Sequence, residues 1–234
     1  MWRSILIILI ASVGLIGCSD KPKSNDYFPL QEGLSWQYRY QLTTSAKQEQ
    51  GLYTVTNLGT TKAGNETATI RRTSTDRDYD LLQKPEGVYR YASRTLFETH
   101  PVVDEPARLV LPTPYLGSSE RTWSSTTTSY VIHRTGPSTI ASANATKDFV
   151  MNYRIAAQDE TVIVPAGKFE HCLLVEGDAT LTIFADPMTG YTDVPIKTRE
   201  WYAPGVGMVK LERTEPLETS VYKGGRYVFE LISN

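Results

Sequence analysis

Two cysteines, three histidines and one run of alternating aspartates are the residues of this 234-residue chain with types and spacing suited to chemistry. Cys18 closes the tetrad Leu15-Ile16-Gly17-Cys18 and offers a nucleophilic thiol where an apolar run gives way to a polar one. Cys172 lies between Phe169 and Leu173-Leu174-Val175, a setting in which a thiol acts as a small buried hydrophobe rather than a reactive group. His100, His133 and His171 are far apart and read as surface or boundary residues rather than metal ligands or a general base. Asp76-Arg77-Asp78-Tyr79-Asp80 carries the alternate carboxylates that open an EF-hand loop. That loop would need glycine where Leu81 stands and a bidentate glutamate where Gly87 stands, so calcium is not expected. On a strand these aspartates share one solvated face, with Tyr79 and Leu81 pointing inward. There is no Gly-x-Ser-x-Gly, His-Glu-x-x-His, Cys-x-x-Cys or phosphate-binding glycine loop, and no spacing selects a carboxylate pair. The chain is therefore expected to hold no catalytic residues, metal or cofactor.

The element that positions Cys18 is the segment before it. Arg3 supplies a positive start, and Ile5 to Ile10 followed by Ala11, Ser12 and Gly14 gives about a dozen apolar positions, short of the roughly 20 a membrane span needs. This is the pattern of a signal-peptide helix. With its terminal tetrad the segment resembles the targeting region of bacterial lipoproteins. The resemblance implies cleavage between Gly17 and Cys18, a diacylglyceryl group on the Cys18 thiol and a further acyl chain, such as palmitate, on its amine. Two or three chains hold far more firmly than one, at about 0.8 kcal/mol per buried methylene. The expected organisation is a cleaved signal peptide over 1–17, a lipidated cysteine and tether over 18–26, and one β-rich domain over 27–234. The tether Ser19 to Asn25 is polar and aperiodic, with a reach of roughly 25 Å at about 3.3 Å per residue. Ser19 stands where enterobacterial lipoproteins retained in the inner membrane carry aspartate. The outer membrane, facing the periplasm, is thus expected over the inner one.

A formal charge of −2, with basic and acidic residues scattered along the whole chain, argues against a nucleic-acid partner. If Cys18 carries lipid, Cys172 has no intrachain disulfide partner, and the fold rests on its core.

Period-two alternation dominates from Tyr27 onward. Trp36, Tyr38, Tyr40 and Leu42 oppose Gln37, Arg39 and Gln41, as in a half-buried strand. Further strands are expected at 52–58, 67–73, 79–83, 88–94, 108–111, 122–134, 148–157, 161–164, 172–184, 197–203, 208–213 and 226–232, with Pro85-Glu86-Gly87 as a hairpin turn. No segment there offers an amphipathic helix, and Thr and Tyr abound. A curved antiparallel sheet follows, closed into a partial barrel or folded into a sandwich. Pro29 to Gly33 before Trp36 and Pro114 to Gly117 before Trp123 echo each other weakly, as two related meanders would. Residues 136–146 read as a mobile loop.

Three turns punctuate the C-terminal half: Pro165-Ala166-Gly167, Asp186 to Gly190, and Pro204-Gly205-Val206-Gly207. The Pro-Ala-Gly-x-Phe…Cys stretch, the aromatic Trp201-Tyr202 strand before Pro-Gly-Val-Gly, and the opening Tyr27 to Trp36 together resemble a group of bacterial envelope lipoproteins and exported proteins of uncharacterised function. That resemblance implies a lipid-anchored β-domain and brings no catalytic residues with it. The leading expectation is a non-enzymatic lipoprotein that binds another envelope component, protein or lipid, with exposed members of Tyr89/Tyr91 and Trp201/Tyr202 as contact points. A lipid or lipoprotein carrier with a half-barrel cavity is the alternative, by fold analogy alone. An envelope hydrolase comes third.

Overall fold

The computed structural model describes residues 26–113, 121–135, 148–186 and 188–234. Gly17, Cys18, the signal-peptide helix, the second meander opening at Pro114 to Gly117, the 136–146 loop and Pro187 lie outside these residues.

The described chain is all strand: β1 (Ser35–Thr44), β2 (Gln48–Ala63), β3 (Glu66–Thr73), β4 (Arg77–Lys84), β5 (Gly87–Thr95), β6 (Val102–Pro112), β7 (Thr122–Thr127), β8 (His133–Arg134), β9 (Phe149–Val164), β10 (Gly167–Asp186), β11 (Gly190–Ala203), β12 (Gly207–Glu218) and β13 (Tyr222–Ser233). They form one antiparallel sheet in the order β6-β5-β4-β3-β2-β1-β13-β12-β11-β10-β9-β7, with β8 pairing separately to β13. The chain lays down one meander from β1 to β6 and a second from β7 to β13. Pairing of β1 with β13 joins the two, in register from Gln37 opposite Ser233 to Thr44 opposite Gly225.

The sheet curls until its edges nearly meet. Leu111 of β6 packs with Ile155 of β9 and with Leu173, Val175 and Tyr202. Arg121, just before β7, donates from Nη1 to the Thr113 carbonyl beyond β6 at 2.5 Å. The result is a nearly closed, barrel-like sheet, which decides between barrel and sandwich. Curvature of this kind leaves few free strand edges. No described helix is long and apolar enough to cross a membrane.

Alternation sets the two faces. On β10, Leu173, Val175, Ala179, Leu181, Ile183 and Ala185 are buried while Thr180, Thr182 and Phe184 are exposed. Inward residues near the 132–222 end form one apolar cluster of Ile132, Met151, Leu181, Ile183, Val194, Ile196, Leu217 and Tyr222. A second cluster joins Trp36, Tyr38, Phe229, Leu231 and Leu211 to Val162, Val164, Cys172, Leu174 and Trp201, because the tip of the β9–β10 hairpin reaches β13 through Ala166 N to Leu231 O at 3.0 Å.

Three expectations are corrected. The strand expected over 122–134 breaks into β7 and β8, because the backbone from Thr128 to Ile132 is bound by the side chains of Arg213 and Glu215 instead of by a neighbouring strand. The segments expected at 148–157 and 161–164 are one strand, carried past Glu160 by register shifts against β10. The aspartates of β4 do not share a solvated face. Tyr79 and Leu81 do share a face, with Leu81 buried, yet Asp78 and Asp80 are only 6% and 8% exposed. Asp78 stands directly opposite Arg72 on β3 and Arg94 on β5, and their long side chains cover it with charge-assisted bonds of 2.7 to 3.0 Å.

Candidate functional site

The sequence-selected residues do not converge. His100 is exposed, His133 contacts the Val131 carbonyl through Nδ1, and His171 pairs with Asp159 on the surface. Cys172 is fully buried and its thiol is pushed up to about 11, chiefly by burial. Trp201 and Tyr202 are core residues, and Tyr89 and Tyr91 are partly buried against Ala63, Ala68 and Leu82, so none of these pairs is a free contact patch. Among the described residues no group of three His, Cys, Asp or Glu side chains could hold a metal.

The turns have structural work. Gly167 follows Pro165 in the β9–β10 hairpin, and Gly190 opens β11 opposite Asp186. Gly205 and Gly207 both take positive φ, at 74° and 98°, where a side chain would be strained. That tight reversal places the Val206 carbonyl to accept from Trp36 Nε1 at 2.7 Å, and Tyr38 donates to the Met208 carbonyl at 2.9 Å. The two meanders are thereby tied at one end. The segment from Asp26 to Leu34 closes that same end: Gly205 N donates to Asp26 O, and Pro29 O accepts from Asn57 Nδ2 and Arg71 Nη2. The Arg71 guanidinium lies 4.2 Å from the Phe28 ring centroid and 4.9 Å from that of Trp36. Burial lowers its pKa to about 10.

Between this plugged end and the apolar cluster at the other, arginines, tyrosines and a glutamate face inward beside Leu81, Val175 and Thr198. Register places them. Arg71 faces Tyr79 across β3 and β4, and Arg90 faces Arg108 across β5 and β6. On the second meander Tyr153 lies opposite Gly177, Gly177 opposite Thr198, Thr198 opposite Arg213, and Arg213 opposite Tyr227. A Cβ on Gly177 would fall 2.8 Å from the Tyr153 ring, so this glycine is where the ring lies flat across the sheet. Arg213 sits 4.0 Å under the Tyr130 ring, which meets Tyr227 edge-on. Several of these groups, among them Tyr53, Tyr79, Arg90, Arg108, Tyr153 and Tyr227, are only half-buried, and Tyr130 is exposed.

The electrostatics follow from that burial. Glu200, hydrogen-bonded by Tyr202 Oη at 2.6 Å, has its pKa raised by desolvation against the opposing pull of Arg213 and Arg108. Tyr153 and Tyr202 are raised for the same main reason. Since the folded state holds the Glu200 proton more tightly than an unfolded glutamate at about 4.3 does, stability falls as pH rises from that value through the folded pKa. Glu200→Gln is therefore expected to raise the denaturant midpoint at pH 7.5 and leave it unchanged below about pH 4. Equal midpoints at pH 7.5 would show that Glu200 is not held uncomfortably by its site.

This polar inner face was not found from sequence. Arg90 and Arg108 are eighteen positions apart, and only strand register makes them neighbours; the one local sign was arginine recurring within otherwise β-forming runs.

Residues 134–216 match a family model described as DUF3108-like. A crystal structure of a lipoprotein candidate from Parabacteroides distasonis is 12% identical, with a TM-score of 0.38 over 88% of this chain and 97% of that one. An exported-protein candidate with a YmcC-like fold from Bacteroides fragilis is 13% identical, with a TM-score of 0.37 over 88% of this chain and 96% of that one. No curated protein matches the sequence.

Proposed function

We propose that this protein is a lipid-anchored, non-enzymatic lipoprotein of the cell envelope that binds another envelope component through the inner face of its barrel. The observation that carries the reading is the half-buried set of tyrosines and arginines facing inward between two closed-packed ends. A sheet that only needed a core would fill this region with aliphatic side chains, since polar groups there bear a desolvation cost. The same polarity counts against the acyl-carrier alternative, which calls for an apolar cavity.

The anchor sets the orientation. Asp26 lies beside Gly205 at the plugged end, so a tether from Cys18 with a reach of roughly 25 Å holds that end toward the lipid surface. Confinement to this thin layer raises the effective concentration of the domain for its neighbours. The outer membrane is the proposed site, from Ser19.

Two measurements test the reading in cells. Cys18→Ser should abolish incorporation of a palmitate analogue and shift the protein from the membrane to the soluble fraction; a membrane-bound, unlabelled variant would refute the anchor. A photo-crosslinking residue at Tyr79, on the inner face, should capture an adduct that one at Thr180, on the outer face, does not. Capture from Thr180 alone, or from neither, would refute binding at the interior.

A further inference from the structure

The arginines of the inner face differ in how their charge is answered. Arg213 is paired with Glu215 at 2.7 Å, and Arg90 holds Asp104 through two bonds of 2.5 and 2.7 Å. Arg71 has no carboxylate, but Asn57, Pro29 and two aromatic rings satisfy it. Arg108 makes no hydrogen bond or ion pair among the described residues, although it is half-buried. Its cross-strand neighbour is Arg90, a like charge, and such pairs directly opposite one another are destabilising. Its pKa is lowered, first by burial and then by Arg90. Tyr153, Tyr130 and Glu200 act on it from the second meander and Asp104 from its own strand, but Glu200 is occupied by the Tyr202 hydroxyl and Asp104 by both bonds from Arg90.

The guanidinium carries five N–H donors that no side chain claims, and its nitrogens are not sealed from solvent, so they are open to an incoming acceptor. We propose that Arg108 binds an oxyanion, a carboxylate or phosphate group, borne by a ligand whose body rests on the exposed Tyr130 ring. This rests on the inner-face reading above and adds to it the chemistry of the ligand. A bidentate fork on a planar or tetrahedral oxyanion answers the donors, and the anion also relieves the repulsion between Arg108 and Arg90. The Tyr130 ring supplies flat apolar area with a polar rim.

The test is calorimetric titration of the full lipidated chain in non-ionic detergent, at fixed ionic strength, with three probes: inorganic phosphate, acetate and dihexanoyl phosphatidylglycerol below its micelle concentration. At least one should bind saturably. Arg108→Gln should weaken it by about ten-fold or more, the equivalent of one charge-assisted bond. Arg108→Lys, which keeps the charge but loses the fork, should weaken it less and guards against a variant that fails to fold. Lys197→Gln, on the exposed outer face of β11, should change nothing. Binding of phosphate or acetate alone identifies a free-anion site; binding of the lipid alone identifies a headgroup site. Silence from all three probes, or binding that Arg108→Gln leaves intact, overturns the proposal. If the adduct at Tyr79 persists in that case, the inner-face reading survives without the oxyanion; if it is also missing, both fall.

Discussion

Glu215→Ala is expected to destabilise the folded protein by about 3–5 kcal/mol, the usual cost of breaking a buried ion pair from one side. The Glu215 carboxylate is wholly buried and accepts from Arg213 Nε at 2.7 Å, from the amides of Tyr130 and Val131 at 2.9 Å each and of Ile132 at 3.1 Å, and from the Ser129 hydroxyl. Its removal strands the Arg213 guanidinium at 1% exposure and orphans the Tyr130 and Val131 amides, while Ile132 N keeps Ser129 Oγ at 3.0 Å. The effect should spread. Residues 129–131 lose their attachment, and Ile132 is loosened from the apolar cluster it closes. Urea denaturation followed by tyrosine and tryptophan fluorescence would show a lower midpoint. Against a total stability of about 5–15 kcal/mol this is a large fraction. Replacing both partners, with Arg213→Met and Glu215→Leu, should cost less than the two single changes added together. A loss under about 1 kcal/mol for Glu215→Ala would mean that water replaces the carboxylate and the site is not sealed.

Gly224→Ala should be comparably damaging for a different reason. A Cβ at this position would lie 1.9 Å from the Glu215 carbonyl oxygen and 2.7 Å from the Leu217 amide nitrogen. Both are backbone atoms, so no side chain can rotate away. Strands β12 and β13 would have to separate where their register already shifts, between Glu215 and Glu218. Overpacking ordinarily costs about 1–3 kcal/mol, and a backbone obstacle puts this case at or above the upper end. The loss should be visible as a lower thermal midpoint and as faster amide exchange along β12 and β13. An unchanged midpoint would show that the two strands part freely there. Because Gly224 abuts the backbone of Glu215, its effect should not add to that of Glu215→Ala.

Much of the architecture is legible from residue order. Alternation over Trp36 to Leu42 lies within β1, and the turn after Lys84 returns the chain at Gly87 as an antiparallel partner. These features are local: a period of two and a turn residue with the required φ are decided within a few positions. The same locality misled over 122–134. Sequence there favours a strand throughout, but the buried pair Arg213–Glu215, some eighty residues away, binds its backbone and ends the strand. Asp78 shows the converse, since an aspartate on a strand reads as solvated until Arg72 and Arg94 are seen on either side.

By itself the sequence determined the β class, the strand periods and the burial of Cys172. Each depends on neighbours in the chain. Tertiary structure alone decided that the sheet curls into a near-closed barrel, that Tyr79 and Leu81 share an inner face with Arg90 and Arg108, and that Arg108 makes no hydrogen bond or ion pair there among the described residues. Those outcomes depend on register between strands, and a shift of one residue would send the same side chains to the opposite face.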